Sequence, residues 1–266
     1  PAGKPDFAQS LEVLDGELQN CGAVSLVVSW FGDDLRCDHC TLRPKVERKD
    51  AEGQNMPWSV SGLSRTAAMQ IAEDGGRPVY GGTTTDAAVV EAIRALNDAG
   101  KAVMFYPFVL MDQMEGNTLP DPYSDALSQP ALPWRGRITT SKAAGQVGSP
   151  DGTVAAEAEI AAFVGTVTAA DFTVGDGVVT YTGPDEWSLS RFILHYAALC
   201  AAAGGVDAFC VGSELRGLSR VRGAANSFPF VTALRGLAGE VRALVGAGTN
   251  IGYAADWSEY FGYQPD

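Results

Sequence analysis

The chain has 266 residues, enough for one large domain or two modest ones with a substantial buried core. Hydrophobic residues make up 46% and charged residues 19%, which excludes a mostly disordered or fibrous chain. Lys plus Arg total 19 against 32 Asp plus Glu, a net charge of −13 that argues against nucleic acid or an anionic membrane as the main partner.

No apolar run approaches the ~20 residues that cross a bilayer. The longest, 23–31 and 102–111, have strand length. The start, Pro1-Ala2-Gly3-Lys4, lacks both a signal segment and an initiator Met, so the chain is expected to be processed or cut from something longer.

Buried strands alternate with amphipathic helices, the pattern of parallel βαβ units. A helix is predicted over 7–18, with Phe7, Leu11, Leu14 and Leu18 near one face. Strand 1 follows over 24–30, a nearly continuous apolar run as expected where both sheet faces are covered. After a polar loop come a helix over 63–73 and a short strand 2 at Pro78-Val79-Tyr80-Gly81. Asp86 reads as the N-cap of a helix reaching Leu96 or Ala99, and strand 3 spans 102–108.

Residues 109–184 are too long for an ordinary connection and read as an excursion from the core. They carry a Pro-rich stretch, a helix over 154–167, and a hairpin pairing Phe172-Thr173-Val174 with Val178-Val179-Thr180-Tyr181. A helix over 188–203, strand 4 over 206–211, a helix over 231–245 and strand 5 over 249–254 complete the chain. Strand 1 runs into Trp30-Phe31-Gly32-Asp33-Asp34, without the Gly-rich phosphate loop of a doubly wound sheet. A (β/α)8 barrel, with its chemistry on loops at the carboxyl ends of the strands, suits the pattern better.

Acids and rings gather at those ends. Trp30, Asp33, Asp34 and Arg36 follow strand 1, and Tyr106, Phe108 and Asp112 follow strand 3. Ser213-Glu214 follows strand 4, and Asp256-Trp257-Ser258-Glu259-Tyr260 follows strand 5. Carboxylates interleaved with aromatics make a sugar-binding surface, and glycoside hydrolysis needs a pair of carboxyl groups. Glu214 is either a general acid/base or an ion-pair partner of Arg216 or Arg36, and Asp256 either the second carboxylate or a cap. Asp33 and Asp34 either bind substrate or form a solvated turn. Trp30, Tyr106 and Trp257 are either sugar platforms or ordinary packing.

His195, among Phe192, Ile193, Leu194 and Tyr196, reads as a core histidine. With only His39 besides it, a His triad or multi-His metal site is nearly excluded. Cys37 and Cys40 form the only close cysteine pair and are read as free or structural thiols, with a local disulfide or a metal as alternatives. No cofactor is expected; a hard cation held by the Asp-rich mouth is a weaker idea.

Six stretches carry a resemblance: Ser25 to Arg36, Val79 to Thr83, Tyr106 to Asp112, Pro133 to Ile138, Phe209 to Leu218 and Tyr253 to Phe261. Together they resemble the TIM-barrel-like, glycoside-hydrolase-like domain of gene transfer agent and phage tail baseplate proteins, the large "host specificity" or megatron-type tail-tip polypeptides. The resemblance implies a glycosidase-like (β/α)8 barrel over 1–266, with the 109–184 insertion after strand 3 and strands 6–8 outside this chain. It implies Glu214 as acid/base at the end of strand 4. Ser213 departs from the Asn that usually precedes that glutamate, and the usual nucleophile, at the end of strand 7, has no counterpart here. Tyr253 and Glu259 join Trp30, Asp33, Asp34, Arg36, Tyr106, Asp112 and Trp257 as expected substrate contacts. Implied partners are other tail or baseplate proteins and cell-envelope polysaccharide or peptidoglycan, with no nucleic acid and no membrane insertion. The implied location is the tail tip of a virion or gene transfer agent particle, the protein being made in the bacterial cytoplasm. Two functions stand open: a hydrolase acting on envelope glycan, or a non-catalytic structural or glycan-adhesive module.

Overall fold

A computed structural model describes residues 3–53 and 55–260. Helix α1 (Asp6–Glu17) leads into β1 (Ala23–Gly32), the run of branched and aromatic residues expected of a central strand. Short pairs then fill a long loop: β2 (Leu42–Arg43) on β1, β3 (Lys45–Val46) with β6 (Met69–Gln70), β4 (Ser59–Val60) with β5 (Leu63–Ser64), and β7 (Glu73–Asp74) with β8 (Arg77–Pro78). Helix α2 (Asp86–Asp98) and strand β9 (Ala102–Met111) follow. After the excursion, which carries α3 (Val154–Val164) and the hairpin β10 (Phe172–Val174) and β11 (Val179–Tyr181), come α4 (Leu189–Ala202), β12 (Ala208–Ser213), α5 (Arg216–Ser219), α6 (Pro229–Val245) and β13 (Asn250–Ala254).

The main sheet has the order β13-β12-β9-β1-β2, and β1, β9, β12 and β13 are parallel neighbours. Each crossover therefore adds its strand on the same side as the last. A doubly wound sheet reverses this order at its switch point; sequential winding is the path of a barrel. The fold is a partial (β/α) barrel.

Two predicted elements are absent. Pro78–Gly81 does not enter the sheet, because β1 pairs directly with β9, Ala23 opposite Ala102 through Gly32 opposite Met111. Gly82, just beyond, passes so close to Glu47 that a Cβ there would stand 2.1 Å from its Oε2. Residues 63–73 are not helical either. Tertiary contacts override helix propensity there: Ile71 N–H donates to Val46 C=O at 3.0 Å, and the Arg65 guanidinium donates to Arg48 C=O at 2.8 Å. Glu214 consequently follows the third of the described parallel strands, and the excursion follows the second.

One face of the sheet is covered, and the other is in part exposed. Val28, Trp30, Val103, Phe105 and Phe209 share a buried core with Ile93 and Leu96 of α2, Phe192 and Tyr196 of α4, and Val241 of α6. Ile160 and Phe163 of α3 and Phe172 of the hairpin belong to the same core, so the excursion packs onto the barrel's helix layer. On the opposite face Val27 is 52% exposed and Met104 36%. This is the face that would line the inside of a closed barrel.

Asp86 does not cap α2; Thr85 occupies the N-cap position. The Asp86 carboxylate instead accepts from Ser61 N–H at 3.0 Å and pairs with His195 Nε2 at 2.9 Å, which makes His195 the buried core histidine expected of it. All five cysteines are free, and burial pushes the Cys40 thiol up to about 12.

The long loop is pinned by one buried ion pair. Lys45 Nζ donates to both carboxylate oxygens of Asp112, at 2.7 and 2.9 Å, and Ala72 N–H donates to the same carboxylate at 3.1 Å. Lys45 and Asp112 are 6% and 3% exposed. Removing one partner of such a pair leaves an uncompensated buried charge. Asp112→Ala is expected to cost about 3–5 kcal/mol of unfolding free energy, read by urea denaturation. A loss under 1 kcal/mol would show that the pair does not hold the loop.

Candidate functional site

The rim of the sheet is organised around Arg135, a residue of the excursion. Its guanidinium donates from Nε to Ser213 C=O at 3.0 Å and from Nη2 to Ser213 Oγ at 2.9 Å. Nη2 also lies 2.8 Å from Glu214 Oε2, and the group stacks 3.7 Å from the Phe108 ring centroid. Burial pulls Arg135 below the ordinary guanidinium range, and Glu214 and Tyr106 oppose that shift. Tyr106 shares a 2.5 Å hydrogen bond with Ser213 Oγ, and Trp134 Nε1 donates to Glu214 Oε2 at 2.7 Å.

The backbone aims Glu214 into this cluster. The β12–β13 register shifts between Cys210 and Ser213, an irregularity of the kind that redirects side chains at strand ends. Glu214 then adopts φ of 52°, a left-handed conformation costing of order 1–2 kcal/mol in a residue with a Cβ. Its N–H donates to Ala254 C=O at 2.9 Å, tying the turn to β13.

The strap at 134–139 runs across these strand ends. Thr139 N–H donates to Leu35 C=O at 2.8 Å and Cys37 N–H to Thr139 C=O at 2.7 Å, while Thr139 Oγ1 donates to Gly217 C=O at 3.0 Å. Glycine is required where the strap folds tightest. A Cβ on Gly136 would meet the Trp134 ring at 2.4 Å, and one on Gly217 would meet Ile138 C=O at 2.3 Å.

Beside Glu214, Leu215 N–H donates to Tyr253 Oη at 2.6 Å, and Tyr253 O–H donates to Glu259 at 3.0 Å. Burial raises the Tyr253 phenol well above its ordinary value, and the Glu259 carboxylate adds to the shift. Glu259 also accepts from Ser219 Oγ at 2.8 Å and from Asp256 N–H at 2.8 Å. Asp256 accepts from Ser258 N–H at 3.0 Å and from the Ser258 hydroxyl, capping the 3-10 turn Trp257–Glu259. The Ser258 contacts hold its carboxyl below the usual range. Trp257, on that turn, is 75% exposed.

The structure thus gathers Tyr106, Glu214, Tyr253, Asp256, Trp257 and Glu259 on one rim. The other expected contacts lie elsewhere or are committed. Trp30 is fully buried: its Nε1 donates to Tyr196 Oη at 3.0 Å and its ring packs against Trp187, Phe192 and His195, so it presents no face to a sugar. Asp33 accepts from Thr41 N–H and Oγ1, both at 2.7 Å. Asp34 accepts from Arg36 Nη2 at 2.6 Å and Gln129 Nε2 at 2.7 Å. Burial works to raise the Asp34 carboxyl, but Arg36 and Gln129 outweigh it and hold the group below its ordinary value. Arg36 is thereby spent on Asp34, and Asp112 on Lys45. The ion-pair partner of Glu214 is Arg135, neither Arg216 nor Arg36. Among the described residues no group of three or more His, Cys, Asp or Glu is placed to hold a metal ion.

Trp134 and Arg135 contact Glu214, and sequence reasoning gave them no role. The Pro133-Trp134-Arg135-Gly136-Arg137 stretch was their only signal.

Residues 187–266 match the family model described as the GTA TIM-barrel-like domain. The resemblance read from the sequence is borne out over this segment, which contains Glu214, β12 and β13. No curated protein matches the chain. Among solved structures it is similar to a GH113 β-1,4-mannanase complex, at 14% identity and TM-score 0.45, covering 96% of this chain and 51% of that one. It is similar also to the GH113 β-mannanase AaManA from Alicyclobacillus acidocaldarius in complex with ManMIm, at 13% identity and TM-score 0.45, covering 96% and 50%. The chain spans about half the length of these structures. No helix among the described residues is long and apolar enough to cross a membrane.

Tyr253→Phe strands the Leu215 N–H and removes a donor from Glu259. A loss of about 1–3 kcal/mol in unfolding free energy is expected, measured by chemical denaturation. An unchanged midpoint would show that this bridge is not formed.

Proposed function

We propose that the chain is a glycoside-hydrolase-like barrel module of a tail-tip baseplate protein, in a phage or gene transfer agent particle, and that its Glu214 rim holds cell-envelope glycan. The observation carrying this reading is the placement of Glu214. Its carboxylate is fixed by an indole N–H and a guanidinium, with the exposed Trp257 ring on the neighbouring strand end. A ring face and a cluster of oriented polar groups are what a pyranose needs, one for its apolar face and the others for its hydroxyls.

Holding is favoured over cutting. Hydrolysis asks for two carboxyl groups flanking the bond, about 5 Å apart for retention or about 6.5–9.5 Å for inversion. The two carboxylates at the end of β13 are committed, Asp256 to its cap and Glu259 to Tyr253, Ser219 and the Asp256 backbone. Glu214 itself accepts from Trp134 and is ion-paired with Arg135, so its carboxylate is committed as well. The hydrolase reading keeps one observation in its favour: the left-handed φ of Glu214, since strained backbone concentrates at working sites.

The particle setting rests on the family resemblance. A net charge of −13 and an excursion laid over the rim suit packing against basic neighbouring subunits. The envelope glycan would be polysaccharide or peptidoglycan.

Binding to purified envelope polysaccharide and release of reducing ends, measured together on wild type, Glu214→Gln and Trp257→Ala, test the reading. Trp257→Ala is expected to weaken binding about tenfold, Glu214→Gln to retain most of it, and no protein to release reducing ends. Release by wild type that Glu214→Gln abolishes would establish the hydrolase instead. Wild-type affinity in Trp257→Ala would remove the glycan site from this rim.

A further inference from the structure

We infer that the cavity behind the 134–139 strap is an anion subsite, in which Arg216 and Arg220 hold the carboxylate or phosphate of an acidic glycan lying across the rim; the glycan part rests on the reading above. The cavity has a volume of about 380 Å³ and is lined by Tyr123, Thr139, Asp151, Arg216, Arg220 and Arg222 among others. That volume lies within the range of small-molecule sites, roughly 300–1,000 Å³.

Three arginines around one cavity are out of keeping with a chain of net charge −13. The acids closest to the cavity, Asp151 and Asp121, pair with other arginines. Asp151 is committed to Arg222, accepting from its N–H at 2.6 Å and its Nε at 3.1 Å. Asp121 lies 3.9 Å from Arg137, which stacks 4.6 Å from the Tyr123 ring centroid. Arg216 and Arg220 have no such ion pair among the described residues, and Arg216 Nε is buried with no hydrogen-bond partner. A buried donor on a charged group, left without an acceptor, is costly. An oxyanion in the cavity is the partner that matches the two guanidinium groups left without an ion pair, because guanidinium and carboxylate or phosphate pair through parallel, charge-assisted bonds.

The position of Arg216 ties this cavity to the rim. It stands two residues after Glu214, at the start of α5, and its charge is felt both at Tyr123 in the cavity and at Asp256 on the far side. The strap divides the two sites, with Arg135 turned to Glu214 and Gly136 and Thr139 lining the cavity. A chain of sugars crossing the strap would meet the Glu214 and Trp257 groups on one side and the arginines on the other.

Titration calorimetry with trigalacturonate, its methyl ester and inorganic phosphate tests the inference. Trigalacturonate is expected to bind at least about tenfold tighter than its ester, with inorganic phosphate competing for the difference. R216Q/R220Q is expected to bring the two oligosaccharides to equal affinity. R220Q alone, at an exposed position, is expected to lose part of the preference without lowering Tm. Equal affinity of acid and ester in wild type overturns the anion subsite while leaving the Trp257-dependent glycan site standing. A preference that survives both variants also overturns it. Phosphate bound in an arginine-dependent way, with neither oligosaccharide bound, upholds the anion pocket and overturns the glycan reading. Failure of all three ligands overturns both.

Discussion

A guanidinium withdrawn from water has five N–H groups to satisfy, and the rim is built around the way Arg135 satisfies them. Its donors reach a strand-end carbonyl, a serine hydroxyl and the Glu214 carboxylate, while its flat face covers Phe108. Charge-assisted bonds of this kind are about twice as strong as neutral ones and hold their geometry. Arg135 belongs to the excursion, and its partners lie on β9 and at the end of β12. The one side chain therefore ties the excursion to two strand ends and, with Trp134, holds Glu214. Without it the strap keeps its backbone bonds to Leu35 and Cys37, the Thr139 bond to Gly217 and the Trp134 bond to Glu214, but loses its one charged contact to that carboxylate.

The winding of the sheet makes this convergence possible. Parallel strands added in chain order bring the carboxyl ends of β9, β12 and β13 side by side, so residues more than a hundred positions apart meet without a long connection. Tyr106 and Ser213 share a hydrogen bond for that reason. The partly exposed face of the sheet, that of Val27 and Met104, is the other consequence of a barrel represented in part.

The strands β1, β9, β12 and β13 and the helices between them were legible because the strands are long runs of branched and aromatic residues and the helices carry a periodic apolar stripe. The pairs that fill the 42–78 loop were not, since two-residue ladders leave no period and Arg65 and Ile71 answer to distant backbone groups. Glu214, Tyr106 and Trp257 could be placed on one rim from strand ends alone, and Tyr253 came only with the family resemblance. Asp34 and Asp112 were misread for one shared reason. An acid at a strand end looks the same whether it faces substrate or a cation, and the cation for Asp112 is Lys45, 67 residues away. Trp30 stayed open between packing and a sugar platform because alternation along a strand gives which side chains share a face, not which face the helices cover. Trp134 and Arg135 sit in a Pro-rich stretch whose path only the folded chain reveals.

Hydrogen exchange on Arg135→Met puts the claim that one guanidinium organises the rim to its most direct test. The amides of Thr139, Glu214 and Leu215 should lose protection together, by about tenfold or more, while those of β1 and β9 keep theirs. Unchanged protection at Glu214 and Leu215 would contradict the account, for the glutamate turn would then be held without Arg135.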